Sequence, residues 1–266
     1  MNRIMKYAIV SFVVLMVVIP LIPLVIWVFA DKWIYPDLFP SLTMRYVDYF
    51  LAHDILTKPL MNSVILALLV TGISLALGFY PSKYLGTKDF RGKRILQVAI
   101  MLPALAPGIA VVFGMLPVFV RLGMYLSFEA LVIGQITFTL PYMIMALTSA
   151  FKNYDTDYED QSTMLGMGKV DTMLNVTMPM VKSSVAVGCM YTFLVSWSMY
   201  LFTSMYAPRG FGTMVTSLLP LAAYGTASMQ EVAITAIMFF LPSLIFLIVT
   251  TLIIRSDNAN ERGGQI

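Results

Sequence analysis

The stretch Met61–Pro81, MNSVILALLVTGISLALGFYP, runs for 21 residues without an Asp, Glu, Lys, Arg or His. A helix rises 1.5 Å per residue, so about 20 residues cross the roughly 30 Å hydrocarbon core of a bilayer. Its length and composition are those of a membrane span. Five further uncharged apolar runs lie outward from it: Tyr7–Ala30, Leu96–Val120, Ala130–Phe151, Val185–Tyr206 and Val232–Ile254. The chain as a whole agrees, at 266 residues, 59% hydrophobic and 12% charged. Soluble domains carry roughly 45–50% apolar and about 25% charged residues. In lipid only helices and closed barrels satisfy every backbone polar group, and runs of this length specify helices. The expectation is an all-α integral membrane protein of six transmembrane helices, organised as one domain over residues 1–266.

The first run follows Arg3 and Lys6, as a signal peptide would, yet it is longer than a typical signal core. It also lacks a small-x-small cleavage site before Asp31 and Lys32, so it reads as a retained anchor. Orientation follows from the basic residues. Twelve fall on one side of the spans: Arg3, Lys6, Lys83, Lys88, Arg91, Lys93, Arg94, Lys152, Lys169, Lys182, Arg255 and Arg262. The other side holds five, Lys32, Arg45, Lys58, Arg121 and Arg209. Cytoplasmic loops keep the basic excess, which places both termini in the cytoplasm. The formal charge of +3 therefore reports topology rather than affinity for nucleic acid.

Composition also removes chemistry. One cysteine, Cys189, excludes a disulfide framework and a cysteine-based zinc site, and one histidine, His53, leaves no second imidazole for a metal centre. His53 stands beside Asp54 without a nucleophile in a recognisable context, and reads as a surface residue of an outer loop. No catalytic residue and no metal ligand is expected. No G-x-x-x-x-G-K-[ST] occurs, since Gly166-Met167-Gly168-Lys169 lacks both the spacing and the Ser/Thr.

Prolines sit within or at the edges of five spans: Pro20, Pro23, Pro81, Pro103, Pro107, Pro117, Pro141 and Pro242. Each removes a backbone donor and bends its helix, and bent helices can surround a cavity. The first outer loop, with Asp37, Asp48 and Asp54, suggests a short amphipathic helix near Leu42–Leu56. A second outer segment, Ala207–Glu231, holds an apolar Leu218–Ala223 too short to span. The inner segment Lys83–Arg94 carries five basic residues and one acid, a pattern suited to anionic lipid.

The inner loop Lys152–Ser184 is the informative one. Asp155 or Asp157 suits an N-cap, and Glu159 and Asp160 put negative charge where the helix dipole favours it. A helix through Leu165 should stop at Gly166, which tolerates the left-handed conformation of a C-terminal cap. A second short helix, Val170–Val176, then leads to Pro179. The result is a helix–turn–helix hairpin with Met164, Leu165, Met167 and Met173 partly exposed, side chains suited to an adaptable docking surface.

This loop resembles the EAA loop of bacterial ABC importer permeases, whose pattern is approximately E-A-A, three residues, Gly, nine residues, I-x-L-P. Asp160-Gln161-Ser162 stands at E-A-A, without either alanine; Gly166 takes the Gly position, and Val176-Thr177-Met178-Pro179 takes I-x-L-P. Asn62-Ser63, Phe90-Arg91-Gly92-Lys93-Arg94, Leu102-Pro103 and Pro107 fit the same family, so the likeness covers nearly the whole chain. It is most similar to the second permease of spermidine/putrescine-type importers. The resemblance implies a type I importer (MetI-like) fold in a bacterial inner membrane. It implies that the Glu159–Pro179 hairpin, through Glu159, Asp160, Gln161, Ser162, Met164, Leu165, Gly166, Met167, Val176 and Pro179, seats in a separate ATPase. Two ATPase subunits carrying ATP and Mg, a second permease making a heterodimer, and an extracytoplasmic solute-binding protein complete the implied assembly, with no cofactor in this chain.

A rival reading is a secondary transporter or channel acting alone. Ion-coupled carriers usually place a carboxylate or histidine within the membrane, and the six runs hold none. Polar and aromatic residues inside the runs mark candidate surfaces for a solute. Gln135, Thr139 and Tyr142 share one helix face, and Thr192, Ser196, Trp197, Tyr200 and Thr203 form the second group, with Thr192, Ser196, Tyr200 and Thr203 at helical spacing. The aromatic rings suit cation–π contact with a polyamine-like or other small organic ion.

Overall fold

The structure is a computed structural model that describes residues 3–31, 33, 39–52, 55–224 and 228–263. Lys32, Asp37, His53 and Asp54, singled out above, lie outside the described residues. Two compact units are present, Met1–Asn62 with Gly212–Pro242, and Ser63–Phe211 with Ser243–Ile266.

The expected first span is interrupted. Helix α1 (Arg3–Val18, 16 residues) stops, and α2 (Leu21–Phe29, 9 residues) restarts behind Pro20. Pro20 and Pro23 supply no N–H and their rings exclude the carbonyls four residues back, so the helix breaks where the apolar pattern runs on. A two-residue bridge between Ala30 and Leu42 closes the loop that follows. Helix α3 (Arg45–Ala52) is the amphipathic element expected near Leu42–Leu56. Val28, Phe50, Leu56, Ala233 and Ile234 form the core of this unit, and Gln230 Nε2 donates to the carbonyls of Ala30 and Asp31 at 3.2 and 3.0 Å.

Helix α4 (Thr57–Thr87) passes through Pro81, where the sequence reading ended the span. Beside that proline, Ser82 Oγ donates to the Gly78 carbonyl at 2.6 Å, while the carbonyl that loses its helical donor is that of Leu77, four residues before the ring. The expected third span is two helices, α5 (Lys93–Leu105) and α6 (Gly108–Arg121), at 95° to one another. Ala106 is extended (φ −71°, ψ 147°), the conformation forced on a residue before proline, and Pro107 then starts α6. Apolar composition records none of this, because both halves are equally uncharged.

Helix α7 (Phe128–Phe151) matches the fourth expected span and is capped by Ser127, whose hydroxyl accepts from the Ala130 N–H at 3.1 Å. Helix α8 (Asp157–Met164) is the first arm of the hairpin. The second arm is not a separate short helix over Val170–Val176. Helix α9 (Lys169–Thr172), a π-helical turn (Met173–Thr177) and α10 (Met178–Trp197) run on as one helix of 29 residues. Pro179 sits in the first turn of α10 and its clash would fall on the Asn175 carbonyl, inside the π turn. The wider turn makes room for the ring, so the proline continues the helix rather than ending it. The fifth span is accordingly displaced toward its N-terminus, and a break at Ser198–Met199 separates α11 (Tyr200–Tyr206).

Helix α12 (Met214–Tyr224) contains the apolar Leu218–Ala223, and α13 (Met229–Gly263) extends the sixth expected span at both ends. Among the described residues, four helices are long and apolar enough to cross a membrane, and the bent α5–α6 pair makes a fifth crossing if it counts as one. In the second unit Leu66, Val70, Phe119, Leu131, Phe202 and Tyr206 form one core cluster, and Phe79, Met143, Leu147, Phe151 and Val181 another. Gly86 and Gly188 bring α4 and α10 against α7 at separations a side chain would forbid: a Cβ at Gly188 would meet Met143 Sδ at 2.7 Å.

Candidate functional site

The hairpin is built from its cap outward. The N-cap of α8 is Thr156 rather than the expected Asp155 or Asp157: Asp155 stands one residue earlier, where its Oδ1 accepts from the Asp157 N–H at 3.0 Å, and Asp157 is already in the helix. Asp157, Glu159 and Asp160 fill the first turn of α8, with their charges at the positive end of the dipole. At the other end Gly166 takes φ +86°, the Met167 N–H reaches the Ser162 carbonyl (3.1 Å), and the Gly166 N–H reaches Thr163 (3.0 Å). That pair of bonds is a Schellman cap, and it turns the chain so that α9 returns beside α8. Ser162 and Thr172, both buried, lie 2.9 Å apart and tie the two arms together.

Glu159 turns inward. One carboxylate oxygen accepts from Tyr154 Oη (2.7 Å), Thr177 Oγ1 (2.7 Å) and Lys83 Nζ (2.7 Å), and the other from Lys83 at 2.5 Å. Lys83 belongs to α4 and Thr177 to the π turn before α10, so one side chain joins the hairpin to two long helices. The Lys83 and Glu159 side chains are 25% and 19% exposed, shielded enough that the pair is more than a surface contact. Partial burial pushes the Glu159 carboxyl up, but the bonds from Lys83, Tyr154 and Thr177 and the charge of Lys83 outweigh it and hold it below the usual carboxylate range. Burial, and then its bond to Glu159, pushes the Tyr154 phenol up to about 12, so it remains a donor.

The outward face is different. Met164 and Leu165 are 86% and 84% exposed, with Asp160, Gln161 and Gly166 exposed beside them. Pro179 is exposed as well, while Met167 and Val176 are half-buried. Two side chains carrying that much apolar surface at the tip of a polar loop are costly in water and suited to a partner's groove. Met173, expected to be partly exposed, is half-buried: it packs on the cluster of Phe79, Met143 and Phe151, and Tyr80 Oη lies 3.3 Å from its sulfur.

The two polar stripes within the helices meet each other. Gln135 Nε2 donates to Thr203 Oγ1 at 3.2 Å, Ser196 Oγ donates to Gln135 Oε1 at 2.5 Å, and Thr139 lies 3.0 Å from Ser74. Gln135, Thr139, Thr192, Ser196, Trp197 and Thr203 are all buried, whereas Tyr142 and Tyr200 keep partial exposure. Gln135, Thr139, Ser196 and Thr203 hold α7 to α4, α10 and α11 in this conformation, the Thr192 hydroxyl has no hydrogen-bond partner among the described residues, and of the two groups only the two tyrosines present surface.

Sequence reasoning missed Lys83, Tyr154, Thr172 and Thr177 as parts of the site. Lys83 was visible as one of five basic residues on its segment, and Thr177 as the variable position of Val176-Thr177-Met178-Pro179. Neither signal names a partner 76 or 18 residues away in the chain.

Residues 68–259 match a protein family described as binding-protein-dependent transport system inner membrane component. The inner membrane ABC transporter permease protein YcjP of Escherichia coli is 26% identical over 172 residues, 65% of this chain and 58% of that protein's length. The spermidine/putrescine transport system permease protein PotC of Shigella flexneri is 23% identical over 227 residues, 84% of each chain. Among solved structures, a chain of a bacterial ABC transporter involved in the import of the acidic polysaccharide alginate superposes with a TM-score of 0.70 at 16% identity, covering 96% of this chain and 98% of that one. At that identity the likeness establishes a shared fold.

Proposed function

The chain is an ABC transporter permease of the bacterial inner membrane, a member of the binding-protein-dependent transport system inner membrane component family, and from that premise we propose how it works. The Glu159–Pro179 hairpin is its coupling element. Two ATPase subunits on the cytoplasmic side bind ATP and Mg, and the exposed Met164–Leu165 tip with Asp160 and Gln161 seats in one of them. This chain binds no nucleotide and holds no cofactor. The carrying observation is the division of labour within α8: an outward apolar tip, and an inward Glu159 bonded to α4 and to the start of α10. Motion imposed on the tip passes to two membrane helices through one carboxylate, with no intervening flexible segment.

Residues 1–266 act as one permease domain, with six crossings and both termini in the cytoplasm, the broken α1–α2 counted as the first. A second, homologous permease completes the translocation route, and a heterodimer is favoured over a homodimer. An extracytoplasmic binding protein delivers the solute, a small one, with polyamine-like or other small organic ions favoured because the alignment to a spermidine/putrescine permease runs over most of both chains. Tyr142 and Tyr200 are the stripe residues available to a passing cation, and the buried members open only if α7 and α10 separate.

The test is to extract the full chain from its native membrane in mild detergent, identify stoichiometric partners by mass spectrometry, and follow ATP-dependent uptake in proteoliposomes. An ATPase partner lost in Leu165→Asp supports the reading. A homo-oligomer that transports without an ATPase would establish the self-contained carrier instead.

A further inference from the structure

The helix that leaves the hairpin carries one residue more than an α-helix has room for. Across Met173–Thr177 the turn widens, and the Met178 N–H donates to the Met173 carbonyl, five residues back rather than four. Such turns are rare and recur at working parts of proteins. This one makes room for the Pro179 ring, and it also sets the direction of the side chains on either side. Thr172 and Thr177, 6% and 1% exposed, both turn onto α8: Thr172 Oγ1 lies 2.9 Å from Ser162 Oγ, and Thr177 Oγ1 donates to Glu159 at 2.7 Å. Glu159 and Ser162 stand three apart on α8 and share a face. Thr172 and Thr177 stand five apart, which in an α-helix would set them about 140° from one another. A turn closed over five residues brings them nearly into line, so the π turn is what lets both hydroxyls grip one face of α8.

We propose that Met173–Thr177 is a two-register joint between the hairpin and α10, with Thr172 and Thr177 as positioning residues and Pro179 holding the joint in its gripped form. In the second register the Met178 N–H moves one residue, from the Met173 carbonyl to that of Leu174, and the turn closes as ordinary α-helix. Thr177 then faces away from α8 and leaves Glu159, while Thr172, joined to α8 through the Gly166 turn, keeps Ser162. Each register carries a penalty. The π turn has poor intrinsic geometry, and α closure drives the Pro179 ring against the Asn175 carbonyl. Opposed penalties keep the two states close in free energy, and a shift of helix register is a discrete step rather than a gradual bend. With both grips made, α10 follows the hairpin. With the joint closed, the hairpin turns relative to α10 on the Ser162 grip and its ion pair with Lys83. The inference rests on the coupling reading only for what pulls the hairpin, because both registers belong to this chain alone.

The test is hydrogen–deuterium exchange of the full chain in lipid nanodiscs, read over the amides of residues 159–167. Thr177→Val, which removes the hydroxyl, should speed exchange there about tenfold, and Thr177→Ser should not. Pro179→Ala lifts the clash and lets the joint close, so it too should speed exchange about tenfold although every hydroxyl remains. Adding Thr177→Val to Pro179→Ala should then change little. Deleting the exposed Asn175 from the Pro179→Ala chain sets Thr172 and Thr177 four apart in a plain α-helix, facing α8 together, and should restore wild-type protection. Poor folding cannot imitate a deletion that restores protection. In the complex with its ATPase, ATP and Mg should alter exchange over the hairpin severalfold in wild type and leave it unchanged in the deletion variant, whose joint has one register. A deletion variant as unprotected as Pro179→Ala, a full Thr177→Val effect in the Pro179→Ala chain, or a wild-type nucleotide response in the deletion variant would overturn the inference. A wild-type chain that binds no ATPase would sink the coupling reading instead, and the exchange of the free chain would still decide the joint.

Discussion

Replacing Lys83 by Met deletes the ion pair that anchors the hairpin and keeps the length of the side chain. Glu159 is then left 19% exposed with two neutral donors, Tyr154 and Thr177, each at 2.7 Å. A hydrogen bond to a charged group contributes about 1.5–3 kcal/mol and a neutral one about 0.5–1.5 kcal/mol, so the local cost is about 2 kcal/mol. Glu159→Gln should cost about the same, since the amide sets a donor against the ammonium. The two changes remove one interaction, so the double variant should cost little more than either alone, a coupling of about 1.5 kcal/mol. The assay is hydrogen–deuterium exchange of the full chain in lipid nanodiscs, read over the amides of residues 159–167. A loss of about 2 kcal/mol in local opening speeds exchange roughly 30-fold, while the amides of α7 stay protected. Exchange within twofold of wild type in Lys83→Met, or strict additivity in the double variant, would refute the claim that this carboxylate holds the hairpin to α4.

The same carboxyl sets a pH window. Its folded pKa lies below the ordinary value, so the stability it contributes is complete above about pH 4.3, the unfolded value, and is lost as pH falls through the folded one. Exchange protection of the hairpin, corrected for intrinsic rates, should be flat from pH 8 to 5 and fall only below about 4. Gly166→Asp should abolish uptake with the membrane helices still folded: the position has open space around it but φ +86°, so the cost is local strain plus a charge on the docking face. Wild-type uptake by that variant would remove the coupling role. Gly86→Ala should lower the melting temperature sharply, because the new Cβ would stand 2.8 Å from the Phe151 backbone carbonyl carbon, which cannot rotate away; an unchanged melting temperature would show that α4 and α7 are not in this contact.

Uncharged run length and the Lys and Arg count are enough by themselves to show a helical membrane chain, because a helix needs about 20 apolar residues to cross the bilayer and basic residues collect in the loops on one side. Gly166 and the acids of α8 were legible for a local reason: caps and left-handed turns are decided by a few neighbouring residues, and the Schellman cap at Gly166 forms where it was expected. The breaks at Pro20 and Pro107 were marked by residue type but not by angle, since proline fixes what its helix cannot do and leaves the new direction to its neighbours. Pro179 shows the opposite outcome, a proline absorbed by a π turn because the continuing helix packs against α7 and buries Val181 and Ala186. Tertiary structure alone decided the long-range polar partners. Glu159 with Lys83, and Gln135 with Ser196 and Thr203, are set by how helices distant in sequence dock. A spacing pattern records which face a side chain occupies, and the partner waiting on that face is fixed only when the helices meet.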